Sequence, residues 1–302
     1  MRYINPVYKK ELKQTARMKK TLVLLLAYNL LLASFSLLVF YLTFDHEGRI
    51  SSNVDYSGIL TLYIVMTALE FVMVLLIVPA STAGAVVGER EKQTLDILLS
   101  TSVSPLQVIV GKLAASISMV ILLAVSSMPV LAIVYSIGGI TLFDMVEFLL
   151  LIVVTAIYIG SFGIFFSVCC ERATIATICS YSAMIGLVFV MPVALFAVRF
   201  AGIFRQSRYS SILIGECFSG KQAILLLFIP FTSFVSMIRS QVGRGITIMN
   251  SIGSSGSVLY FLSQHWYAAS LCSQLAVAAA LIGISSHRLN PMARRRKERK
   301  NK

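Results

Sequence analysis

The chain has 302 residues, of which 57% are hydrophobic and only 13% are charged, and its mean hydropathy is +0.84. Soluble domains carry about 25% charged residues, so this composition excludes a soluble enzyme, a secreted disulfide scaffold and a disordered chain. The net charge of +13 does not indicate nucleic acid, because 15 of the 26 lysines and arginines lie before residue 21 or after residue 287. There they flank hydrophobic segments, where basic residues orient the spans and contact anionic lipid.

Six apolar segments are long enough to cross a bilayer as helices, which takes about 20 residues. In chain order they are 21–44, 58–87, 108–137, 145–168, 174–198 and 258–285. The sequence therefore predicts an all-α integral membrane protein, in which residues 1–302 form a single transmembrane domain with six spans. We do not expect the first segment to be a cleaved signal peptide, because its apolar run is too long and lacks a cleavage site.

The lysines and arginines are distributed unevenly between the two sides of the predicted membrane domain. With the N-terminus placed in the cytoplasm, 19 of them fall inside and seven outside, which predicts that both termini, with the basic tail 288–302, are cytoplasmic. The run 223–238 is apolar but short, and Pro230 interrupts it. We therefore predict a re-entrant or interfacial helix in an outer loop between spans five and six, and not a seventh span.

Residues 1–20 carry the signals of a helix that precedes the first span. Asn5 is a favourable N-cap and Pro6 suits the first helical position. Apolar residues then recur at roughly helical spacing, with Lys10, Glu11 and other charged residues between them. This pattern predicts an interfacial helix that lies on the inner leaflet. A basic anchor without a further role is the alternative.

The segment 88–112 follows the second predicted span and combines charged with apolar residues. Its first half contains Glu89, Arg90, Glu91, Lys92, Thr94 and Asp96, and a leucine stripe formed by Leu95, Leu98 and Leu99. Ser104 and Gln107, with Pro105 between them, form a capping box that predicts the start of a new helix. We predict a short amphipathic helix on the cytoplasmic side that can transmit force from a partner. A solvated connecting helix is the alternative.

Glu70 stands inside the second predicted span, where a carboxylate is costly unless it faces protein or water. It either lines a transport path or a dimer seam, or it is a locally hydrogen-bonded acid. Further along, Ser81, Gly84 and Gly88 form a track of small residues that allows close helix contact.

The sequence offers no catalytic or metal site. The five cysteines contain no CxxC pair and the three histidines are widely spaced. Gly215, Gly220 and Lys221 have the spacing of a phosphate-binding loop, but Gln222 replaces the serine or threonine that contacts magnesium. We therefore predict that the chain is not an enzyme, binds no cofactor and has no ATPase site of its own.

The run PASTAGAVVGEREKQTLDILLSTSVSPLQVIVGK resembles the signature of the ABC-2-type permeases, the membrane subunits of many bacterial ABC exporters. The start NPVYKKEL and the later PFTSFVSMI are also similar to that family. The resemblance implies six spans, an N-terminal interfacial helix, a coupling helix after span two that docks on a separate ATPase, and a second permease copy or paralogue. By match, the candidate contacts are Glu89, Arg90, Glu91, Thr94, Leu95 and Asp96, to which the stripe adds Leu98 and Leu99.

This resemblance implies the permease subunit of an exporter in the bacterial cytoplasmic membrane, working by alternating access, with ATP and magnesium bound by the partner ATPase. The apolar spans, almost free of charge, favour an amphiphilic substrate, although the sequence does not identify it. It also leaves open whether the permease pairs as a homodimer or a heterodimer. The alternatives are a membrane-embedded enzyme and a non-transporting accessory or sensor subunit.

Overall fold

The computed structural model describes residues 6–45, 56–94, 104–137, 141–194, 197, 225–242 and 265–289, and these residues form helices and turns without a strand. The chain divides into two compact units. The first consists of residues 1–180 and 278–302, and the second of residues 181–277. Predicted residues outside the described ranges include Asn5, Leu95, Asp96, Leu98 and Leu99.

The described residues form nine α-helices. They are α1 (Pro6–Arg17), α2 (Lys19–Asp45), α3 (Tyr56–Ala83), α4 (Val87–Glu91), α5 (Pro105–Ile137), α6 (Leu142–Cys169), α7 (Ala173–Ile185), α8 (Pro230–Gln241) and α9 (Trp266–Leu289). A π-helical turn, Gly186–Val190, follows α7 directly. The boundary between the two units falls inside α7 and again inside α9.

Six helical segments of the described chain are long and apolar enough to cross a membrane, which confirms the predicted number of spans. They are Thr21–Leu42, Leu60–Glu91, Pro105–Pro129, Leu142–Cys169, Ala173–Ala194 and Trp266–Leu289. The fold class is therefore an all-α membrane protein. The first part of the sixth predicted span, 258–264, lies outside the described residues.

Two helices begin at capping boxes, one of which the sequence predicted. At the start of α5, the Ser104 side chain accepts the Gln107 backbone N–H at 3.3 Å, and the Ser104 N–H donates to Gln107 Oε1 at 3.0 Å. At the start of α6, Thr141 and Asp144 form the same reciprocal pair. This second box begins α6 three residues before the predicted span, because it satisfies N–H groups that the first turn leaves without helical partners.

In the first unit, α3, α5 and α6 pack against one another, α2 lies against α3 and α5, and α1 lies against α5. Most side chains of α6 are buried. By contrast, α2 exposes large apolar side chains such as Leu30 and Leu37, which are 73% and 70% exposed. A helix with this surface is suited to lipid, because hydrocarbon solvates an apolar side chain as well as a protein core does.

Two glycines of α6 lie tightly against the neighbouring helices, Gly163 against α3 and Gly160 against α5 and α3. A Cβ added at Gly163 would overlap Thr82 Oγ1 and lie 2.8 Å from Thr82 Cβ, and one added at Gly160 would lie 2.9 Å from a Leu113 methyl group. The track of Ser81, Gly84 and Gly88 makes no such contact within the described chain at its two glycines, because a Cβ at either position meets nothing within 4 Å. That the track contacts a second copy stays a prediction.

In the second unit, α8 packs beside the π-helical turn, and its side chains bond to the first half of α9. Pro230 begins α8 and does not interrupt it, since Ile229 is the N-cap and proline suits the first helical position. Ser233 of α8 hydrogen-bonds to Ser270 of α9, and Gln274 Nε2 donates to Ser233 Oγ at 2.8 Å. At about 1.5 Å per residue, 12 residues reach about 18 Å. This length is too short to span, and whether α8 is re-entrant or interfacial stays a prediction.

Candidate functional site

The residues of the GERE sequence lie where α3 ends and the chain turns into α4. The backbone N–H groups of Val86 and Val87 both donate to the Ser167 hydroxyl of α6, at 2.9 and 3.0 Å. All three residues are buried. Because the turn between α3 and α4 leaves these N–H groups without helical partners, the hydroxyl both satisfies them and fixes α4 on α6.

Glu89 of α4 binds Lys112 of α5, and Lys112 also binds Glu11 of α1. The Lys112 Nζ lies 2.8 Å from Glu89 Oε1 and 2.9 Å from Glu11 Oε1. The Lys112 side chain is 4% exposed, whereas the two carboxylates are 22% and 30% exposed. One buried cation therefore joins three helices. The other Glu89 oxygen, Oε2, is buried without a hydrogen-bond partner in the described part of the chain.

Arg90 binds the C-terminal end of α6. Its guanidinium donates to the Cys170 carbonyl at 2.8 Å and to the Val168 carbonyl at 3.1 Å. Carbonyls at a helix end lack helical partners and carry partial negative charge, so a cation at this position is favourable. Cys170 is the C-cap of α6, and burial is the main cause that raises the pKa of its thiol above the usual value.

Glu91 binds the N-terminal end of α7. Its Oε1 accepts the backbone N–H of Ala173, the first residue of α7, at 2.7 Å. An anion at this position compensates the partial positive charge of the helix start. Consecutive residues of one short helix thus bind α5, the end of α6 and the start of α7. We call Glu89, Arg90 and Glu91, with these partners, the GERE junction.

Beyond Glu91, the chain leaves the helical conformation. Gln93 has a positive φ of 58°, a conformation that ordinary side chains adopt rarely. The N–H and the hydroxyl of Thr94 both donate to the Glu89 carbonyl, at 2.9 and 3.2 Å. The predicted helix near Glu89–Leu99 is thus not continuous, because α4 ends at Glu91. Since Glu89 binds Lys112, the chain is held together at both ends of the stretch between these two residues. The name loop 93–104 denotes the connection from α4 to α5 along the chain and says nothing of its conformation.

The N-terminal helix is held along α5 by residues on one face. The Tyr8 hydroxyl lies 3.0 Å from Ser118 Oγ, Val7 is 7% exposed, and Glu11 binds Lys112. Lys10, on another face of α1, is exposed. Pro6 is the first residue of α1, as predicted. That α1 lies on the membrane surface stays a prediction.

Glu70 lies in the interior of the chain, where it is 1% exposed. The Ser127 hydroxyl of α5 donates to its Oε1 at 2.8 Å. The Tyr28 hydroxyl of α2 lies beside both groups, outside normal hydrogen-bond geometry. This geometry is that of a locally hydrogen-bonded acid joining α3 to α5. Its role on a transport path or at a dimer seam stays a prediction.

The residues that sequence reasoning missed are the partners of the predicted ones. From the sequence, Lys112 counts only among the cytoplasmic basic residues, and Ser127 and Ser167 have no predicted role. The sequence nevertheless gives one indication of Lys112, because this lysine is the last residue of the motif. The two serines had no comparable signal, because a serine in an apolar helix commonly bonds its own backbone.

Beneath the GERE junction lies an apolar cluster that connects it to the spans. Its buried members are Val86, Ile109, Leu113, Ile164, Val168 and Leu289. At its edge, Arg288 donates to the Cys169 sulfur at 3.1 Å and lies over the Phe165 ring, 5.7 Å from its centroid. Ion pairs and hydrogen bonds therefore attach the GERE junction to the ends of the helices, and apolar packing attaches it to the interior between them.

The six apolar helices define a multi-pass membrane protein. Residues 5–287 match the family described as ABC-2 family transporter protein. Because this match covers most of the chain, the protein belongs to the ABC-2 transporter family. A search of curated proteins found no match to the chain.

Proposed function

We propose that the chain is the permease subunit of an ABC exporter in the bacterial cytoplasmic membrane, with both termini in the cytoplasm. In this proposal it works as a pair with a second permease, a copy or a paralogue. Two separate ATPase subunits bind ATP and magnesium, and the permease itself catalyses no reaction. The observation that carries the proposal is the GERE junction, which fixes a loop at the end of the spans of an ABC-2 family protein.

The loop between Gln93 and Ser104 is the proposed contact with the ATPase. Its leucines Leu95, Leu98 and Leu99 supply apolar surface, and Asp96 and Thr94 supply polar groups that set register. Glu89, Arg90 and Glu91 are engaged within the chain, so they support the loop at its base. A segment that the ATPase displaces can move the spans only if it is firmly attached to them. The GERE junction provides this attachment.

The proposed mechanism is alternating access. When ATP draws the two ATPase subunits together, the loop moves with them, and the junction transfers this displacement to α5, α6 and α7. The spans then rearrange to release the substrate outside. Because charge is nearly absent from the spans, an amphiphilic substrate is the class that fits best.

The experiment that tests this function is copurification with the ATPase encoded beside the permease. We expect a variant with Leu95→Asp and Leu98→Asp to insert normally but to lose the ATPase, because two charges replace apolar contact surface. Lys13→Asp is the matched control, since it changes the charge by the same amount at an exposed position of α1 outside both the loop and the membrane-crossing segments. Retention of the ATPase by the double variant would show that the loop is only a linker.

The two alternative functions predict different results in the same preparation. A membrane-embedded enzyme would act without any ATPase, and an accessory or sensor subunit would bind it without supporting transport. Retention of ATPase binding with no effect of the permease on ATP hydrolysis would therefore favour the accessory role.

A further inference from the structure

Lys112 binds carboxylates from two different helices, neither of which is its own. It receives Glu89 from α4 and Glu11 from α1 at nearly equal distances, 2.8 and 2.9 Å, while its own side chain is 4% exposed. The two carboxylates therefore form ion pairs with the same ammonium group. If one of them moved away, the buried ammonium would lose one of its two short ion-pair contacts, which weakens its stabilisation in a poorly solvated site.

We call Lys112 with Glu11 and Glu89 the bridge. Its α1 end is attached to α5 at further points. Val7 is buried, and Tyr8 bonds to Ser118, which lies six residues beyond Lys112 on α5. The α4 end stands at the base of the loop 93–104, because the Glu89 carbonyl also accepts both bonds from Thr94. The bridge thus connects a helix at the start of the chain to the base of a loop some 80 residues later.

We propose that Lys112 is a positioning residue that couples α1 to α4, the short helix that precedes the proposed ATPase contact. When α4 is displaced, Glu89 moves with it, and the shared ammonium carries Glu11 and α1 along, so α1 and α5 respond together. Conversely, the attachment of α1 sets the resting position of α4. This inference rests on the proposed function, because the displacement is that imposed by the ATPase.

Glu11 is the residue that distinguishes coupling from simple structural support. It lies on α1, outside the loop, and is 30% exposed, so Glu11→Gln retains a side chain of the same shape that water can reach. A merely structural bridge would lose some stability in this variant without changing how the ATPase responds to the permease. A coupling bridge would change that response while the complex stays assembled.

The test uses the complex of the full chain with its ATPase in nanodiscs of phosphatidylethanolamine and phosphatidylglycerol. The measurements are the amount of ATPase bound and the permease-dependent stimulation of MgATP hydrolysis per mole of complex. For Glu11→Gln we expect unchanged binding and a loss of stimulation of about fivefold, the lower end of common coupling between sites. The control Lys13→Gln, which removes an exposed charge from α1, should match the wild type.

Two further variants show whether the bridge acts as a unit. Glu11→Gln combined with Glu89→Gln should reduce stimulation no more than Glu89→Gln alone, because removing either carboxylate already breaks the connection. Lys112→Arg should retain most of the stimulation, since it keeps the buried cation.

Unchanged stimulation in Glu11→Gln, or strictly additive losses in the double variant, would overturn the coupling role of Lys112 and leave the proposed function intact. A wild-type chain that binds no ATPase would overturn the proposed function, and the coupling role with it.

Discussion

Glu89 and Lys112 stand at the two ends of one sequence motif, and the structure places their charged groups 2.8 Å apart. The motif begins with GERE at the end of the second span and finishes with Gly-Lys in the first turns of the third. Its two ends are thus partners in the folded chain. This arrangement provides a partner for Lys112, the single charged residue of 97–112.

Replacing the shared cation should destabilise the protein. In Lys112→Met, the carboxylates of Glu11 and Glu89 lose their common partner and repel each other. We expect a loss of about 2 kcal/mol in unfolding free energy, below the usual value for a fully buried pair, because the carboxylates are 30% and 22% exposed. Thermal unfolding in detergent measures this, with Lys13→Met as control. Equal melting temperatures for the variant and the wild type would contradict it.

Arg90 should be sensitive even to a conservative change. The guanidinium bonds two carbonyls at once, Cys170 and Val168, and a lysine ammonium cannot reproduce this planar geometry. We expect Arg90→Gln to cost about 1–3 kcal/mol, typical of losing bonds from a charged group, and Arg90→Lys to recover part of it. Hydrogen exchange of the α6–α7 turn reports the change. Slow, wild-type exchange in Arg90→Gln would refute the assigned role.

Gly163 should not tolerate a side chain. A Cβ at this position overlaps Thr82 Oγ1, so Gly163→Ala forces α3 and α6 apart. We expect a penalty of at least about 3 kcal/mol, the upper end for overpacked cores, and a large fall in the monodisperse fraction after size exclusion. Combining it with Thr82→Gly should restore part of the yield, because that change removes the overlapping atoms. Gly84→Ala is the control, as its Cβ meets nothing within 4 Å.

Two variants of Glu70 should show whether the shape of its side chain or its hydrogen-bond acceptor stabilises the protein. Glu70→Gln keeps an oxygen that can accept the Ser127 hydroxyl, whereas Glu70→Leu removes it. We expect both variants to insert, with Glu70→Leu less stable by about 1 kcal/mol, the usual net value of one hydrogen bond. Thermal unfolding in detergent measures the difference. If transport also falls in Glu70→Leu but not in Glu70→Gln, the acceptor matters for function as well as for packing.

Orientation can be tested with a native cysteine as reporter. Cys217 falls in the predicted outer loop, and Arg295 in the predicted cytoplasmic tail. In a background where the other cysteines are alanine, we expect an impermeant maleimide to label Cys217 in intact cells. In a second chain that lacks Cys217, Arg295→Cys should react only after the membrane is opened. Labelling of that cysteine in intact cells would place the C-terminus outside.

The number of spans followed from the sequence because crossing a bilayer is a property of each segment alone. A helix satisfies its own backbone groups, so a run of about 20 apolar residues is sufficient evidence for a span. The start of α5 was equally local, since Ser104 and Gln107 form their capping box within four residues. Such features depend on neighbours in sequence, which a single chain displays directly.

The partners of Glu89, Arg90, Glu91 and Glu70 were decided only by the tertiary structure. The sequence predicts the first three as contacts for another protein, which stays a prediction, and gives no sign that each also binds a group more than 20 residues away in its own chain. It indicates Ser81, Gly84 and Gly88 as a track for close helix contact but not Gly160 and Gly163, which make close contacts within the described chain. The physical reason is that apolar helices are almost equally compatible with many packings. Which polar groups and which small residues meet depends on how the helices pack together in space, and no single segment contains that information.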